Sequence, residues 1–138
     1  MSDPVYAVID TNVLVSALIT KNPESPVVRI FKFLAQNKLV PVFSEEIVSE
    51  YREVLSRPKF KIPLEVVNSF VNEIISRGKE ISELIEVKER LPDSKDVVFY
   101  AVTLSNSEST YLVTGNLKHF PEKPFVVSPS EMIKILEA

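Results

Sequence analysis

Two aspartates, Asp10 and Asp96, are the first candidates for chemistry because aspartate is rare in this chain. Of the 19 acidic residues among 138, 15 are Glu and only four are Asp, at positions 3, 10, 93 and 96. Glu is the better helix former, so each Asp calls for a local reason. Asp3 has one in its place near a terminus. Asp10 directly follows an apolar run and Asp96 lies near a predicted helix start, and carboxylates so placed suit binding of a divalent cation.

Glu50 is the glutamate expected to join them. A helix beginning after Ser44 has one apolar arc, formed by Ile47, Val48, Tyr51, Val54 and Leu55. Glu50 lies closer to this arc than any other carboxylate of the helix. We therefore expect its side chain to lean over an edge of the core instead of pointing into bulk water.

We expect Asp10, Glu50 and Asp96 to converge, together with Asn116, around one cation. Two like charges about 4 Å apart repel by roughly 4 kcal/mol at an effective dielectric of 20, and a hard cation turns that repulsion into binding. Mg²⁺ and Mn²⁺ prefer such oxygen ligands. Either ion polarises a phosphoryl oxygen and lowers the pKa of bound water, which allows hydrolysis without a Cys, Ser or His nucleophile.

Alternating strand and helix patterns must position these residues. Short apolar runs predict strands at Val5–Ile9, Leu39–Phe43, Thr110–Thr114 and Phe125–Val127, with Leu84–Val87 either a third strand or a helical turn. Periodicity and caps predict helices over 13–19, 26–37, 45–57, 63–77, 94–104 and 129–137. Both patterns together predict one α/β domain over residues 1–138, built around a parallel sheet.

The candidate residues map to one edge of that sheet. Ligands of open parallel α/β sheets bind outside the carboxyl ends of the strands. Asp10 directly follows the first strand, and Thr114 and Asn116 stand at the end of the fourth. The helices that begin near Ser44 and Asp93 start at the same edge, so Asp96 is expected in a first helical turn there.

Composition excludes several other chemistries. The chain has no Cys, which excludes disulfides, zinc-cysteine sites and thiol nucleophiles. His119 is its one histidine, which excludes a multi-histidine metal site. The net charge is −3 and the chain has no polycationic segment, so any contact with nucleic acid would have to be local. No apolar run approaches the roughly 20 residues of a membrane span. The first residues include the acidic Asp3 and lack the basic residues that begin a signal peptide. We therefore expect a cytoplasmic protein without membrane contact.

Four segments resemble, in order, the motifs of PIN-domain nucleases. They are V-I-D-T-N-V at 8–13, S-E-E-I-V-S-E-Y-R-E-V-L at 44–55, D-S-K-D-V-V-F-Y-A at 93–101 and L-V-T-G-N-L-K-H-F at 112–120. The first motif is weak evidence when taken alone. All four together span nearly the whole chain and are far more specific.

The resemblance implies a three-layer α/β/α sandwich with strand order 3-2-1-4-5. It implies Mg²⁺- or Mn²⁺-dependent cleavage of RNA, a homodimer, and often the toxin role of VapC-type toxin–antitoxin pairs, with an antitoxin protein as partner. A helix such as Val27–Leu34 offers an apolar patch for a dimer.

The resemblance also assigns roles to individual residues. Asp10, Glu50 and Asp96 carry over as metal ligands and catalytic residues. Asn116 completes the catalytic set but replaces an acidic residue often found there, so one charge is lost. Supporting hydrogen bonds are expected from four more residues: Thr11, Asn12, Asp93 and Thr114.

Each pattern also has a plainer explanation. Asp10 fits a capped turn, Asp93 and Asp96 fit a capping pair, and His119 fits a packing residue better than a general base. The basic stretch of Arg52, Arg57, Lys59 and Lys61 is either a solvated face or a phosphate-positioning surface.

Two other functional classes remain as alternatives. A PIN-like module that binds RNA or protein without cleaving it is the main one, because Asn116 weakens the site. A phospho-acceptor receiver domain is disfavoured, because Asp10 is not part of an acidic pair and no Asp ends a third strand.

Overall fold

Five parallel strands form the centre of the computed structural model, which describes residues 3–138. The strands are β1 (Val5–Ile9), β2 (Leu39–Phe43), β3 (Lys79–Glu80), β4 (Thr110–Val113) and β5 (Val126–Val127). Their order is β3-β2-β1-β4-β5 and every neighbouring pair is parallel. The predicted strand order is confirmed.

Helices flank this sheet and complete the α/β/α sandwich. The α-helices are α1 (Thr11–Ile19), α2 (Pro26–Ala35), α3 (Glu45–Leu55), α4 (Leu64–Arg77), α5 (Val97–Ser105) and α6 (Pro129–Glu137). Single 3-10 turns occupy Pro58–Phe60, Ser94–Asp96 and Leu117–His119. Helix α2 packs against α1 and α6, α4 against α3, and α5 against β1 and β2. Within residues 3–138, every helix is too short or too polar to cross a membrane.

The central strands are buried because their sequences are continuously apolar. Ala7, Val8 and Ile9 of β1 are almost fully buried, as are Leu112 and Val113 of β4. Such runs suit strands covered on both faces. Because β1 and β4 are central, the polar residues that follow them emerge at the carboxyl edge, directly above the core.

The third strand lies at Lys79–Glu80, so the assignment of Leu84–Val87 as a strand or helical turn was wrong. Gly78 lets this backbone pass close to β2, because a Cβ there would lie 2.4 Å from the carbonyl oxygen of Pro41. Glu80 then pairs with Phe43. Leu84 and Val87 instead pack on the core from an irregular segment.

Several helix ends differ from prediction by one to three residues. Helix α1 starts at Thr11, and α3 ends at Leu55. Helix α2 ends at Ala35 because Asn37 adopts a φ of 61°, which breaks the helical path. Asp96 closes a 3-10 turn immediately before α5, so it is not in the first turn of an α-helix as predicted.

Part of the apolar face of α2 is used inside the molecule. Ile30 and Leu34 are buried, and the ring of Phe31 packs on that of Phe70 with 4.8 Å between centroids. The buried side chains of α2 are therefore not available to a partner, and the suggestion that α2 supplies a dimer surface stays a prediction. Larger exposed apolar side chains lie on α4, at Leu64 and Val66.

Candidate functional site

The ends of β1 and β4 bring Asp10 and Thr114 together. The strands are paired with Ile9 opposite Val113, so the residues that follow them are neighbours. The hydroxyl of Thr114 donates to Oδ2 of Asp10 at 2.7 Å. Asn12 Nδ2 donates to the same oxygen at 3.2 Å. Asp10 stands at the N-cap position of α1 but its side chain makes no capping hydrogen bond, so a capped turn does not explain it.

Asp10 is held where its charge is unfavourable. The residue is only 6% exposed to solvent. This burial, together with the charges of Asp96 and Glu50, raises the pKa of Asp10 from its usual 3.8 to about 6, against the hydrogen bond from Thr114. Three carboxylates from separate parts of the chain therefore lie within electrostatic reach of one another.

Helix α3 presents Glu50 to this edge. Ser44 caps the helix by accepting a hydrogen bond from the Ile47 N–H at 3.3 Å, which fixes its start at the end of β2. Glu50 is half-buried, whereas Glu46 and Glu53 are exposed. The hydroxyl of Thr11 donates to Oε2 of Glu50. The helical wheel thus predicted the orientation of Glu50 correctly.

Tyr51 ties α3 to β1, a contact that the sequence argument missed. Its buried hydroxyl donates to the carbonyl oxygen of Ile9, the residue before Asp10. Burial and the charges of Asp10 and Glu50 raise the pKa of Tyr51 far above its usual value, so it remains a donor. The available signal was a hydroxyl-bearing side chain inside the apolar arc, next to Glu50.

Asp96 reaches the site from the 3-10 turn before α5. Asp93 fixes this turn by accepting the N–H of Lys95 at 2.9 Å, as a capping residue does. The Asp96 side chain is 14% exposed. No well-formed hydrogen bond from residues 3–138 reaches its buried Oδ2, and the ring nitrogen Nδ1 of His119 lies 3.2 Å from that oxygen. Burial, and then the charge of Asp93, raise the pKa of Asp96.

His119 and Asn116 border the site on the side of β4. The 3-10 turn Leu117–His119 brings Nδ1 of His119 to 3.2 Å from Oδ2 of Asp96. Nε2 of the same ring lies 3.1 Å from the side-chain nitrogen of Asn116. Asn116 is exposed, and its backbone N–H donates to the Thr114 hydroxyl at 3.0 Å. The sequence argument treated His119 as a packing residue, whereas the structure places its ring beside Asp96. Its spacing of three residues from Asn116 was the signal that could have placed it there.

The candidate ligand atoms at this site fit a hard divalent cation. All three carboxylates are oxygen ligands, and the buried Oδ2 of Asp96, which lies 3.2 Å from the His119 ring without a well-formed hydrogen bond, is an acceptor that a cation would satisfy. In the part of the chain that is described, no three carboxylate or imidazole groups surround a single point at ligating distance. Mg²⁺ commonly takes one or two carboxylates and keeps several waters, so this arrangement suits a partly hydrated ion.

A cleft of about 520 Å³ opens beside these groups. Glu50 and Asp96 both line it, between α3 and the 3-10 turn Ser94–Asp96. The cleft gives a substrate access from solvent to two of the three carboxylates.

Comparison with known proteins agrees with this architecture. A family model described as PIN domain matches residues 6–118, a stretch that contains Asp10, Glu50, Asp96 and Asn116 and ends one residue before His119. Searches of curated proteins and of solved structures each returned no match. The fold and the family match lead to one assignment: the chain belongs to the PIN-domain family, whose members are generally metal-dependent nucleases.

Proposed function

We propose that this chain is a divalent-metal-dependent ribonuclease that hydrolyses internal phosphodiester bonds of RNA. The observation that carries the proposal is that Asp10, Glu50 and Asp96 lie within electrostatic reach of one another beside an open cleft, with Oδ2 of Asp96 buried and without a well-formed hydrogen bond. Mg²⁺ or Mn²⁺ bound there would polarise a phosphoryl oxygen and lower the pKa of water. Neither step requires a protein nucleophile.

In this proposal Asp10, Glu50 and Asp96 hold the cation, directly or through its bound waters, and neighbouring groups keep them in place. Thr114 and Asn12 hold one oxygen of Asp10. Thr11 orients Glu50. Outer groups of this kind commonly change metal affinity or activity by roughly 10–100-fold when removed.

Three further groups act at the border of the site. Asp93 fixes the turn that carries Asp96. Asn116 and His119 lie on the β4 side of the site, where the amide oxygen of Asn116 is able to bind a water of the hydrated ion.

The test measures cleavage of an end-labelled single-stranded RNA with Mg²⁺ or Mn²⁺. We expect Asp10→Asn and Asp96→Asn each to lower kcat/KM by more than about 100-fold, because removing a ligand should exceed the effect of an outer group. Excess EDTA should abolish cleavage by the unsubstituted protein. Glu45→Gln is the matched control, since Glu45 is an exposed carboxylate on the same helix as Glu50 and does not line the cleft.

Full activity in either Asp variant, or in EDTA, would falsify this proposal, provided that circular dichroism shows the variants folded. RNA binding without any saturable effect of Mn²⁺ would instead support the non-cleaving module, to which the loss of an acidic residue at Asn116 points. A DNA strand of the same sequence tests whether the enzyme selects the sugar, and a circular RNA tests whether it cuts internally.

The proposal extends to a cytoplasmic toxin, paired with an antitoxin protein and acting as a homodimer. These finer assignments rest on the resemblance to VapC-type proteins. Light scattering coupled to gel filtration distinguishes a dimer from a monomer, and exposed Leu64 and Val66 on α4 offer apolar area for such a contact.

A further inference from the structure

We propose that Arg57 and Lys95 bind the phosphates of a single-stranded RNA next to the scissile one, within the cleft between α3 and the 3-10 turn Ser94–Asp96. This inference rests on the proposed ribonuclease function and identifies how its substrate is held. Arg57 follows the last turn of α3, and Lys95 directly precedes Asp96.

Both basic side chains line the same cleft as two of the carboxylates. Arg57 and Lys95 are the two cations among its lining residues, alongside Glu50 and Asp96. Its volume of about 520 Å³ lies in the range of sites that enclose a small ligand, which roughly spans 300–1,000 Å³. A space of this size admits an unpaired nucleotide, whereas an RNA duplex would meet the protein through its wide, shallow minor groove.

All other charged side chains that line the cleft are acidic, so binding of a phosphate in the cleft would depend on Arg57 and Lys95. Glu46, Glu53 and Asp93 also line the wall, and the chain as a whole carries a net charge of −3. An RNA strand would be repelled by such a surface unless a positive group met its phosphates locally. Phosphate contacts of this kind fix the register of a nucleic acid without reading its sequence.

Arg57 is available because its present partner is exposed to solvent. Its guanidinium donates to both carboxylate oxygens of Glu53, one helical turn away, at 2.9 and 3.4 Å, and the two side chains are 42% and 63% exposed. Exposed pairs of this kind contribute little to stability. The planar guanidinium is able to donate to two phosphate oxygens in the same way, so a phosphate is able to take the place of the exposed Glu53 carboxylate.

Lys95 is available for a different reason. Its backbone is fixed, because its N–H donates to Asp93 at 2.9 Å. Its side chain is exposed, and no carboxylate among residues 3–138 lies within 4.0 Å of its ammonium group. The lysine therefore presents a free charge beside Asp96.

Other cations near α3 have different environments. Arg52 donates to Asn68 and Asn72 of α4, at 3.3 and 2.9 Å, and so joins two helices. Lys59 lies over the ring of Phe60, 5.1 Å from its centroid. Neither lines the cleft. Of these basic residues of the sequence stretch, Arg57 lines the cleft, whereas Arg52 and Lys59 do not. Replacing Lys59 therefore removes one positive charge without changing the cleft, which makes it a matched control.

The experiment measures kcat and KM for a labelled single-stranded RNA with Mn²⁺, over a series of KCl concentrations. Arg57→Gln and Lys95→Gln should each raise KM roughly 10-fold and change kcat less than about two-fold, because each loses a charged contact to substrate outside the reacting group. Each should also reduce the slope of log KM against log salt by about 0.7, the value for one phosphate contact to a single strand. Lys59→Gln should change neither quantity.

Glu53→Gln tests the exchange of partners directly. It frees Arg57 and should lower KM more than Glu46→Gln, which removes the same charge from the same cleft but has no bond to Arg57. In an Arg57→Gln background this excess should disappear. Fluorescence anisotropy with the cleavage-deficient Asp96→Asn protein measures RNA affinity independently of turnover.

The inference is overturned if Arg57→Gln and Lys95→Gln match Lys59→Gln in KM, salt slope and RNA affinity. An effect of only one of them removes the other residue from the binding surface. Absence of cleavage by the unsubstituted protein refutes the proposed function instead, so the two failures are distinguishable.

Discussion

Asp10 combines a structural cost with a proposed role. Its carboxylate is buried at the end of β1 and has two other carboxylates in electrostatic reach. Hydrogen bonds from Thr114 and Asn12 offset only part of that cost. A residue kept in this position despite its cost is better explained by a ligand than by the stability of the fold.

The raised pKa of Asp10 predicts how its replacement affects stability in EDTA. A pKa of about 6 in the folded state, against 3.8, means that its contribution to stability is complete below pH 4 and is lost as the pH rises to about 6. The loss corresponds to about 3 kcal/mol at most. Asp10→Asn avoids it and retains an oxygen for Thr114, so its Tm should match the parent's near pH 4 and exceed it above pH 6.

Thermal unfolding followed by circular dichroism at pH 4, 5, 6 and 7.5 provides this comparison. Saturating Mn²⁺ should raise the Tm of the parent but not that of Asp10→Asn, since a ligand that binds only the folded state stabilises it. A variant that is less stable than the parent at pH 7.5 without metal would contradict the interpretation.

Helix α3 positions Glu50 through contacts at its start and its middle. Ser44 fixes the first turn, and the hydroxyl of Tyr51 bonds the carbonyl of Ile9. The second contact joins the residue after Glu50 to the residue before Asp10. The distance between Asp10 and Glu50 therefore depends on this buried hydrogen bond as well as on the contact of Thr11 with Glu50.

Tyr51→Phe should lower both stability and activity. The carbonyl of Ile9 would lose a buried donor, at a cost of about 1–3 kcal/mol in the free energy of unfolding. Displacement of Glu50 should reduce kcat/KM by roughly 10-fold, as expected for a group outside the ligand shell. Urea denaturation and the RNA cleavage assay measure the two effects.

Tyr100→Phe is the control for that variant. Tyr100 is also buried in a helix, and its hydroxyl donates to Glu89 at 2.7 Å, away from the proposed ligands. It should lose stability while keeping its kcat/KM. If Tyr51→Phe behaves in the same way, the bond to Ile9 supports the fold alone.

The molecule as a whole directs its chemistry to one edge of the sheet. Asp10 and Thr114 follow the central strands β1 and β4, and α3 and α5 begin near the same edge. Parallel strands have a common direction, so every segment that follows them emerges on one side. Because the net charge is −3, the chain provides no general attraction for RNA, so the proposed substrate would have to be bound by local groups at this edge.

The proposed toxin role predicts an effect on growth. Induced expression of the parent protein in a bacterial host should arrest growth, because cleavage of cellular RNA stops protein synthesis. Asp10→Asn, produced to the same level, should not. Normal growth with a parent protein that cleaves RNA in vitro would separate the nuclease from the toxin assignment.

Much of this architecture was predictable because local patterns carry it. The apolar run of Val5–Ile9 and the helix at Pro129–Glu137 have the bounds expected of them. Orientation of Glu50 followed from its place on the helical wheel. The third strand was missed because Lys79 and Glu80 have no strand pattern, and they pair with β2 only since Gly78 allows a close approach.

Residue types, their order and their periodicity specified four of the five strands, most of the helices and the candidate carboxylates, since these depend on neighbours within a few positions of the chain. Contacts between remote segments had to await the folded arrangement: the Tyr51 bond to Ile9, His119 beside Asp96, and Arg57 facing the same cleft as Lys95. Such contacts join residues that are far apart in the chain, and no local pattern records which of them will meet.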